Sequence, residues 1–480
     1  VISHIIDKLD KKVEVVIAVG YKSNQIKTYL DTIYTDRKIT YVDVDNFDGE
    51  GSGPGYSLLS CKDKLQTPFI FTSVDTLVKE NAVFSFVGDN WLGVSEVNIE
   101  NSMDYCLVRG SKYLDDLYYG TGNRAYVGMA GIHDYDDFWN ALEDRKILKD
   151  EYQVIHGFDG LDNIKLIDFT WYDTGNNKSY HETKEIFGND VVANKSDEAI
   201  FIDKGKVVKY FNDSEKVRLR VERAKYLNGN CPDITAVNEN MYVYDYVDGE
   251  MLSNISDESL MRKFLDDCKS KLWEATYKGD TFLDDCEEMY ETKTKERVAP
   301  LFGSELDKVS VINGIEVEPI EDMLNKVDWN WFYEKAIPSY FHGDLQPENI
   351  LYDKGKDKFV LIDWRQRFGK SIETGDVDLG KIYHAIMING QSILKDMFSY
   401  SREGSSVSVE FYAKSNLVYF MDIFKEFCVD NDYDWNNVEL LGILQYFNIC
   451  TLYDNFKDGR YGNFLFLYGK YLLAKFLNKE

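Results

Sequence analysis

Apolar runs and polar joints alternate along the first 75 residues at a spacing that builds a layered α/β domain. Val1 to Leu9 reads as a short amphipathic helix, and Val13 to Val19 as a buried strand closed by Gly20. Ser23 can cap a helix in which Ile26, Tyr29, Leu30 and Ile33 share one face at the 3.6-residue period. Ile39 to Val44 is a second strand. A glycine-rich loop, Gly49 to Gly55, opens into a helix from Tyr56 to about Leu65, and Pro68 introduces the strand Phe69 to Thr72, which ends at Asp75. Joints this short predict an α/β domain with a mainly parallel sheet and right-handed crossovers. Further on, Ala125 to Gly131 reads as a strand, Tyr135 to Leu142 as a helix, and Trp171 to Asn176 as a closing turn.

Near Ile186 to Asp190 the pattern changes to short strands. Ala199 to Ile202, the turn Asp203-Lys204-Gly205, and Val207 to Phe211 form a hairpin, followed by a helix from Lys216 to Leu227 and a strand from Met241 to Val247. Residues 255–340 are mostly helical and charged, with many i,i+4 Glu/Lys pairs. The rest, to Glu480, reads as amphipathic helices. Two domains are expected, 1–187 and 188–480, the second α+β and divided near residue 250.

Composition narrows the classes of function. A chain of 480 residues is too long for one core. Its net charge of −28, with no Lys/Arg cluster, argues against nucleic-acid and anionic-membrane partners. Seven scattered cysteines without a C-x-x-C read as buried thiols in a reducing compartment. The most apolar segment, Phe464 to Leu477, is broken by Lys470 and Lys475 and is not expected to enter a membrane. The expected setting is the cytoplasm and the expected partner a small-molecule substrate, with a homo-oligomer left open.

The chemistry concentrates in residues 341–364. His342-Gly343-Asp344 is followed five positions later by Asn349, and the apolar run Phe359 to Ile362 then delivers Asp363. Phosphoryl transfer needs such a set: one carboxylate to accept the proton of an attacking hydroxyl, and an amide with a second carboxylate to hold Mg²⁺ against the ATP phosphates. Protein kinases read H-R-D, four residues, N, then D-F-G; the H-G-D and I-D-W variant resembles the aminoglycoside phosphotransferase and choline kinase family, which phosphorylates small-molecule hydroxyls. That resemblance implies a small lobe over 188–250 and a large lobe over 251–480. It makes Asp344 the catalytic base and Asn349 and Asp363 the metal ligands. Lys209 becomes the lysine that reaches the nucleotide phosphates, with Glu222 as its helix partner. The strand carrying Tyr244 and Tyr246 becomes the adenine-binding hinge, and Gly375 to Leu379 the segment that anchors the catalytic loop.

In the first domain, Gly51-x-Gly53 invites a dinucleotide-binding reading with Asp75 as the ribose ligand, but Tyr56 stands where glycine or alanine is required. A strand-end aspartate, a glycine loop and Trp171-x-Asp173-Thr174-Gly175 together resemble the sugar-phosphate nucleotidyltransferases, over about residues 1–185. The resemblance implies that Gly51, Gly53 and Gly55 approach a nucleotide base, CTP or another nucleoside triphosphate, and that Asp75 and Asp173 hold Mg²⁺. That family opens with a strand and a G-x-G-x-R loop ahead of the helix matching Val1 to Leu9, so the domain is expected to lack its first strand here and to turn over little by itself. A lysine usual after the family's central strand is also missing near Leu117 to Gly120.

The reading is therefore of a nucleotidyltransferase-like domain followed by a small-molecule kinase that phosphorylates a sugar or amino alcohol for an activated surface-polysaccharide precursor. The alternatives are a kinase whose first domain only binds nucleotide or product, and a scaffold made of two inactive enzymes; the intact Asp344, Asn349 and Asp363 set speaks against the scaffold.

Overall fold

A computed structural model describes the chain apart from residues 82–87, 145–146, 149–150, 188–196, 275, 277–278, 455 and 480. The chain divides into two compact units, Val1–Ser196 and Asp197–Glu480. Most of the stretch Ile186–Asp190, where the sequence pattern changes, lies outside the described residues.

The first unit opens with helix α1 (Ile2–Asp7), strand β1 (Val15–Val19), helix α2 (Ser23–Ile33) and strand β2 (Ile39–Asp43). Strands β1 and β2 pair in parallel, Val15 opposite Ile39 and Val19 opposite Asp43. Ser23 is the first helical residue rather than the cap, a place taken by Lys22 in the left-handed conformation. The next helix, α3 (Pro54–Ser60), starts two residues earlier than the sequence pattern suggests, because Pro54 has its φ pre-set for a first helical turn.

Strands β3 (Phe69–Thr72), β4 (Thr76–Val78), β5 (Trp91–Glu96), β6 (Leu107–Arg109), β7 (Asp116–Tyr118) and β8 (Arg124–Ile132) follow. After helix α4 (Tyr135–Glu143) come β9 (Lys165–Asp168), β10 (Trp171–Asp173) and helix α5 (Asn177–Phe187). The long strand β8 runs antiparallel to β3, β5 and β6, while β9 pairs with β5 in parallel. Parallel pairing thus holds at β1–β2 and β5–β9, and the sheet as a whole is mixed. Leu92, Ala130, Ile132, Phe138, Trp139, Leu142 and Phe158 bury one face of it. A separate antiparallel pair, β4 with β10, sets Asp173 opposite Thr76 and so beside Asp75.

The second unit begins with strands β11 (Glu198–Asp203) and β12 (Lys206–Phe211), joined by a turn in which Lys204 and Gly205 both have positive φ. With β13 (Ile234–Asn238) and β14 (Met241–Asp245) they make an antiparallel sheet in the order β11-β12-β14-β13. Helix α6 (Ser214–Arg223) packs on this sheet. Strands Ile350–Asp353 and Lys358–Leu361 form a hairpin extended by Glu250–Met251, and its far end leads into Asp363.

Helices Trp435–Cys450 and Arg460–Leu477 pack into one apolar cluster, and Leu379–Met387 buries Leu379, Ile382 and Ile386 in a second. The expectation of helices alone after residue 379 needs correction: Phe398–Glu403 and Ser406–Phe411 form an antiparallel hairpin. Their Ser-Val-Ser-Val alternation places Val407 and Val409 in the core and the serines outside. No helix of the described residues is long and apolar enough to cross a membrane.

Candidate functional site

The turn at residues 341–344 is held by buried side chains rather than by strand pairing. The backbone N–H groups of His342 and Gly343 donate to the two oxygens of Asp378, each at 2.6 Å. Gly343 has φ +86°, and a Cβ there would come 2.6 Å from the Cβ of Arg365; only glycine turns the chain at that point. His342 is fully buried. Its Nδ1 accepts from the Asp344 N–H at 3.3 Å, so Nε2–H donates to the Ile362 carbonyl at 2.9 Å. Burial pushes its imidazole down to about 4, which keeps the ring neutral.

Asp344 projects from this turn. Asn349 Nδ2 donates to the Asp344 carbonyl at 2.9 Å and lies 3.5 Å from Asp344 Oδ2. That leaves Asn349 Oδ1 as the side-chain atom open to a metal ion. The Asn349 carbonyl receives Ile362 N–H at 2.9 Å, which ties the Asn349 turn to the strand end that carries Asp363. Burial alone would raise the Asp344 carboxyl, but Lys381, 3.1 Å from Oδ1, holds it below the ordinary value.

Asp363 has a φ of +63°. It is met from the four-stranded sheet by Lys209, whose ammonium pairs with Oδ1, and from α6 by Arg220 Nη1 at 3.3 Å. Burial lowers the Lys209 ammonium, and the Asp363 charge works against that shift. The structure therefore brings together Lys209, Asp344, Asn349 and Asp363.

Glu222 is not part of this group and has to be corrected. It faces away and pairs with Arg218 at 3.0 Å. The buried residues of α6 are Val217, Leu219, Arg220 and Arg223, and the Glu222 carboxylate is taken up by Arg218 one turn earlier. On the hinge strand, Tyr244 is buried and stacks with Tyr242, whereas Tyr246 is exposed beyond the strand end, its N–H bonded to the Gly205 carbonyl.

Sequence reasoning missed the arginines. Arg223 is wholly buried. Its guanidinium donates to the carbonyl of Phe341, to Ile372 at 3.0 Å and to Glu373 and Arg365 at 3.3 Å, and it lies 3.7 Å over the Phe341 ring. The signal was available: two arginines three apart in register with Val217 on an otherwise polar helix.

In the first unit, Asp75 and Asp173 face each other. A Cβ at Gly175 would lie 3.2 Å from Asp173 Oδ1 and 3.2 Å from Asp75 Oδ2. Thr174 ties the two segments together, its N–H and hydroxyl both donating to the Asp75 carbonyl at 2.9 and 2.8 Å. Desolvation, helped by the like charge of Asp173, raises the Asp75 carboxyl. In the glycine loop, Gly53 and Gly55 lie against the backbone of Tyr152 and Gln153, within 2.9 and 2.6 Å of where their Cβ atoms would be. These two glycines serve loop packing, and Gly51 alone of the three has open space, its nearest neighbour being Asn46 at 3.8 Å. Lys8 donates to the carbonyls of Val78 and Glu80, and Lys11 pairs with Asp36.

Among the described residues no three His, Cys, Asp or Glu side chains gather as a metal cage. Both sites instead offer two oxygen-bearing side chains, the protein share that Mg²⁺ takes when water and phosphate oxygens fill its other positions.

The chain matches no protein-family profile. No curated protein matches it. Solved structures similar to its N-terminal part include a UDP-glucose pyrophosphorylase complexed with UDP-glucose, 16% identical, covering 39% of this chain and 85% of that one at a TM-score of 0.34. A CTP:phosphocholine cytidylyltransferase from Streptococcus pneumoniae is 14% identical over 38% of this chain and 84% of its own, at a TM-score of 0.32. A putative glucose-1-phosphate thymidylyltransferase from Bacillus anthracis, in complex with a sucrose, is 12% identical over 40% and 84%, also at 0.32.

Proposed function

We propose that the second unit is a small-molecule kinase that transfers the γ-phosphoryl group of ATP to a hydroxyl. The observation that carries this reading is the meeting of Asp344, Asn349, Asp363 and Lys209 on four separate segments of one unit. In this reading Asp344 accepts the hydroxyl proton as the acceptor oxygen attacks the γ-phosphorus, and the β–γ bridging oxygen leaves with ADP. Asn349 Oδ1 and Asp363 hold Mg²⁺, whose chemistry when bound is to neutralise charge on the phosphate oxygens. Lys209, beside Asp363, is within reach of the same phosphates, and Lys381 keeps the Asp344 carboxylate ionised and oriented.

The first unit, with Asp75 and Asp173 opposed across Gly175, is proposed to handle a nucleoside triphosphate with Mg²⁺. Coupled to the kinase, it would activate the phosphorylated product as a nucleotide conjugate, of the kind that supplies a surface polysaccharide. A second reading, in which it binds nucleotide or product without turnover, draws support from Gly53 and Gly55, which lie against backbone rather than open space.

The test is Mg²⁺-dependent ADP formation with a panel of small alcohols. Asp344→Asn should lower turnover by roughly 10²–10⁴, the contribution of a positioned base, with MgATP binding by calorimetry nearly unchanged. Full activity in that variant would remove Asp344 from the role.

A further inference from the structure

A cavity opens beside Gly343 of the 341–344 turn. It is lined only by residues from 289 onward, so it is distinct from the place where Lys209 and Tyr244 would meet a nucleotide. Its volume is about 50 Å³, room for about four water-sized groups. Three cations from three different elements share its wall: Lys293 at the start of helix Lys293–Val298, Arg365 two residues past Asp363, and Lys381 on helix Leu379–Met387.

These cations are unusual in a chain of net charge −28. Lys381 pairs with Asp344. Among the described residues, neither Lys293 nor Arg365 forms an ion pair, and both are half-buried. The acids in the same wall are already engaged. Asp378 takes the N–H groups of His342 and Gly343, while Asp376 takes those of Ile337 and Val377 and the Tyr290 hydroxyl at 2.8 Å. Burial and then the neighbouring Arg365, Lys381 and Arg297 push the Lys293 ammonium down to about 7, while the Asp344 carboxylate, already paired with Lys381, acts against that shift.

The aromatic rings in the wall do not offer a cage for a cation instead. Tyr290 and Phe341 each pack edge-on against Phe368, with centroids 5.6 and 5.8 Å apart, and the face of Phe341 is covered by Arg223. A quaternary ammonium would need open ring faces.

Resting on the kinase reading above, we infer that the phosphoryl acceptor carries its own anionic group, a phosphate or a carboxylate, which Lys293 and Arg365 hold while its hydroxyl is presented to Asp344. The acceptor class is thus a small hydroxy acid or hydroxyalkyl phosphate rather than an amino alcohol. The hydroxyl oxygen forms the new bond to the γ-phosphorus of ATP, the β–γ bridge breaks to give ADP, and the proton passes to Asp344. The anionic group takes no part in bond making.

Two measurements on the full chain test this. In the first, inorganic phosphate is titrated by calorimetry into the wild type, Lys293→Gln, Arg365→Gln and Lys293→Arg. Saturable binding is expected, weakened at least tenfold by either glutamine and largely restored by Lys293→Arg. Binding that either glutamine variant leaves unchanged would overturn the inference. In the second, ADP formation is compared across glycerate and glycerol 3-phosphate, the uncharged glycerol, and the cationic choline and ethanolamine. The first two should be favoured, and Lys293→Gln should raise their KM at least tenfold with the KM for MgATP unmoved. Preference for glycerol, choline or ethanolamine would overturn the acceptor class while leaving the kinase standing. Failure to bind MgATP at all would remove the kinase reading, and the phosphate titration would still report on the cation cluster.

Discussion

Replacing Arg223 by methionine is the sharpest test of how the catalytic turn is held. The guanidinium is wholly buried and reaches four main-chain carbonyls, those of Phe341, Arg365, Ile372 and Glu373. Burial lowers it to about 10, with Asp378 opposing that shift, so it remains charged at neutral pH. A hydrogen bond to a charged group contributes about 1.5–3 kcal/mol, and a buried acceptor left unpaired costs about 1–3 kcal/mol. Four such acceptors therefore stand to lose roughly 4–12 kcal/mol by the same figures.

Methionine keeps most of the volume and removes the desolvation of a buried charge, which offsets several kcal/mol. The net loss is expected at about 3–5 kcal/mol, a large part of the roughly 5–15 kcal/mol that holds a domain together. Hydrogen exchange by mass spectrometry across a denaturant series localises the effect to peptides from 341–378. Arg223→Lys should not rescue, since a single ammonium cannot span carbonyls that a planar fork reaches. A methionine variant within about 1 kcal/mol of wild type, or full rescue by lysine, would refute the reasoning.

Burial pushes the carboxyls of Asp376 and Asp378 up to about 7 and about 6. Both values lie above that of an unfolded aspartate, so the stability they contribute is full at acid pH and lost as pH rises through 6 to 7. Asp376→Asn retains an acceptor for the N–H groups of Ile337 and Val377 and should flatten the fall in Tm between pH 5 and 8; equal falls in variant and wild type would count against it. In the first unit, Gly175→Ala sets a methyl group 3.2 Å from both Asp75 and Asp173. It should weaken Mg²⁺-dependent CTP binding about tenfold, measured by calorimetry in a chain that also carries Asp363→Ala to silence the second site; unchanged affinity would detach these aspartates from the nucleotide.

Much of this arrangement is legible in the sequence, and the part that is not has physical reasons. The polar set of the second unit lies in one short stretch, 342–363, where spacing along the chain nearly fixes spacing in the fold. Glu222 and Lys209 are separated by a turn and half a helix, and there the register decides. Val217, Leu219, Arg220 and Arg223 are the buried residues of the helix, and Glu222 pairs with Arg218 one turn away. An arginine on a buried face looks like a solvated charge until the carbonyls that receive it are known, and those carbonyls come from 118 to 150 residues away. The strands β5, β6, β7 and β9 were invisible for another reason. They are three to six residues long and owe their place to strands distant in sequence or to one another, β5 and β6 to β8, β7 to β6 and β9 to β5, so none has a period of its own to read.

The turn at 341–344 also explains why polar side chains, rather than a sheet ladder, satisfy its backbone. A ladder repeats every two residues and would fix His342 and Asp344 on one face with Gly343 on the other. The observed geometry is different: His342 turns inward to the Ile362 carbonyl, and Asp344 is directed at Asn349 and Lys381. Only a chain that leaves the extended conformation at Gly343 does both, and its backbone groups then need partners outside any strand. Asp378 supplies acceptors for the two N–H groups, and Arg223 supplies a donor for the carbonyl just before them. Two buried charges of opposite sign thus hold one turn from its two sides and stabilise each other across it. Because each has main-chain partners, removing either leaves the turn free to rejoin a ladder-like path. The direct consequence falls on the aim of Asp344, so turnover should suffer along with stability.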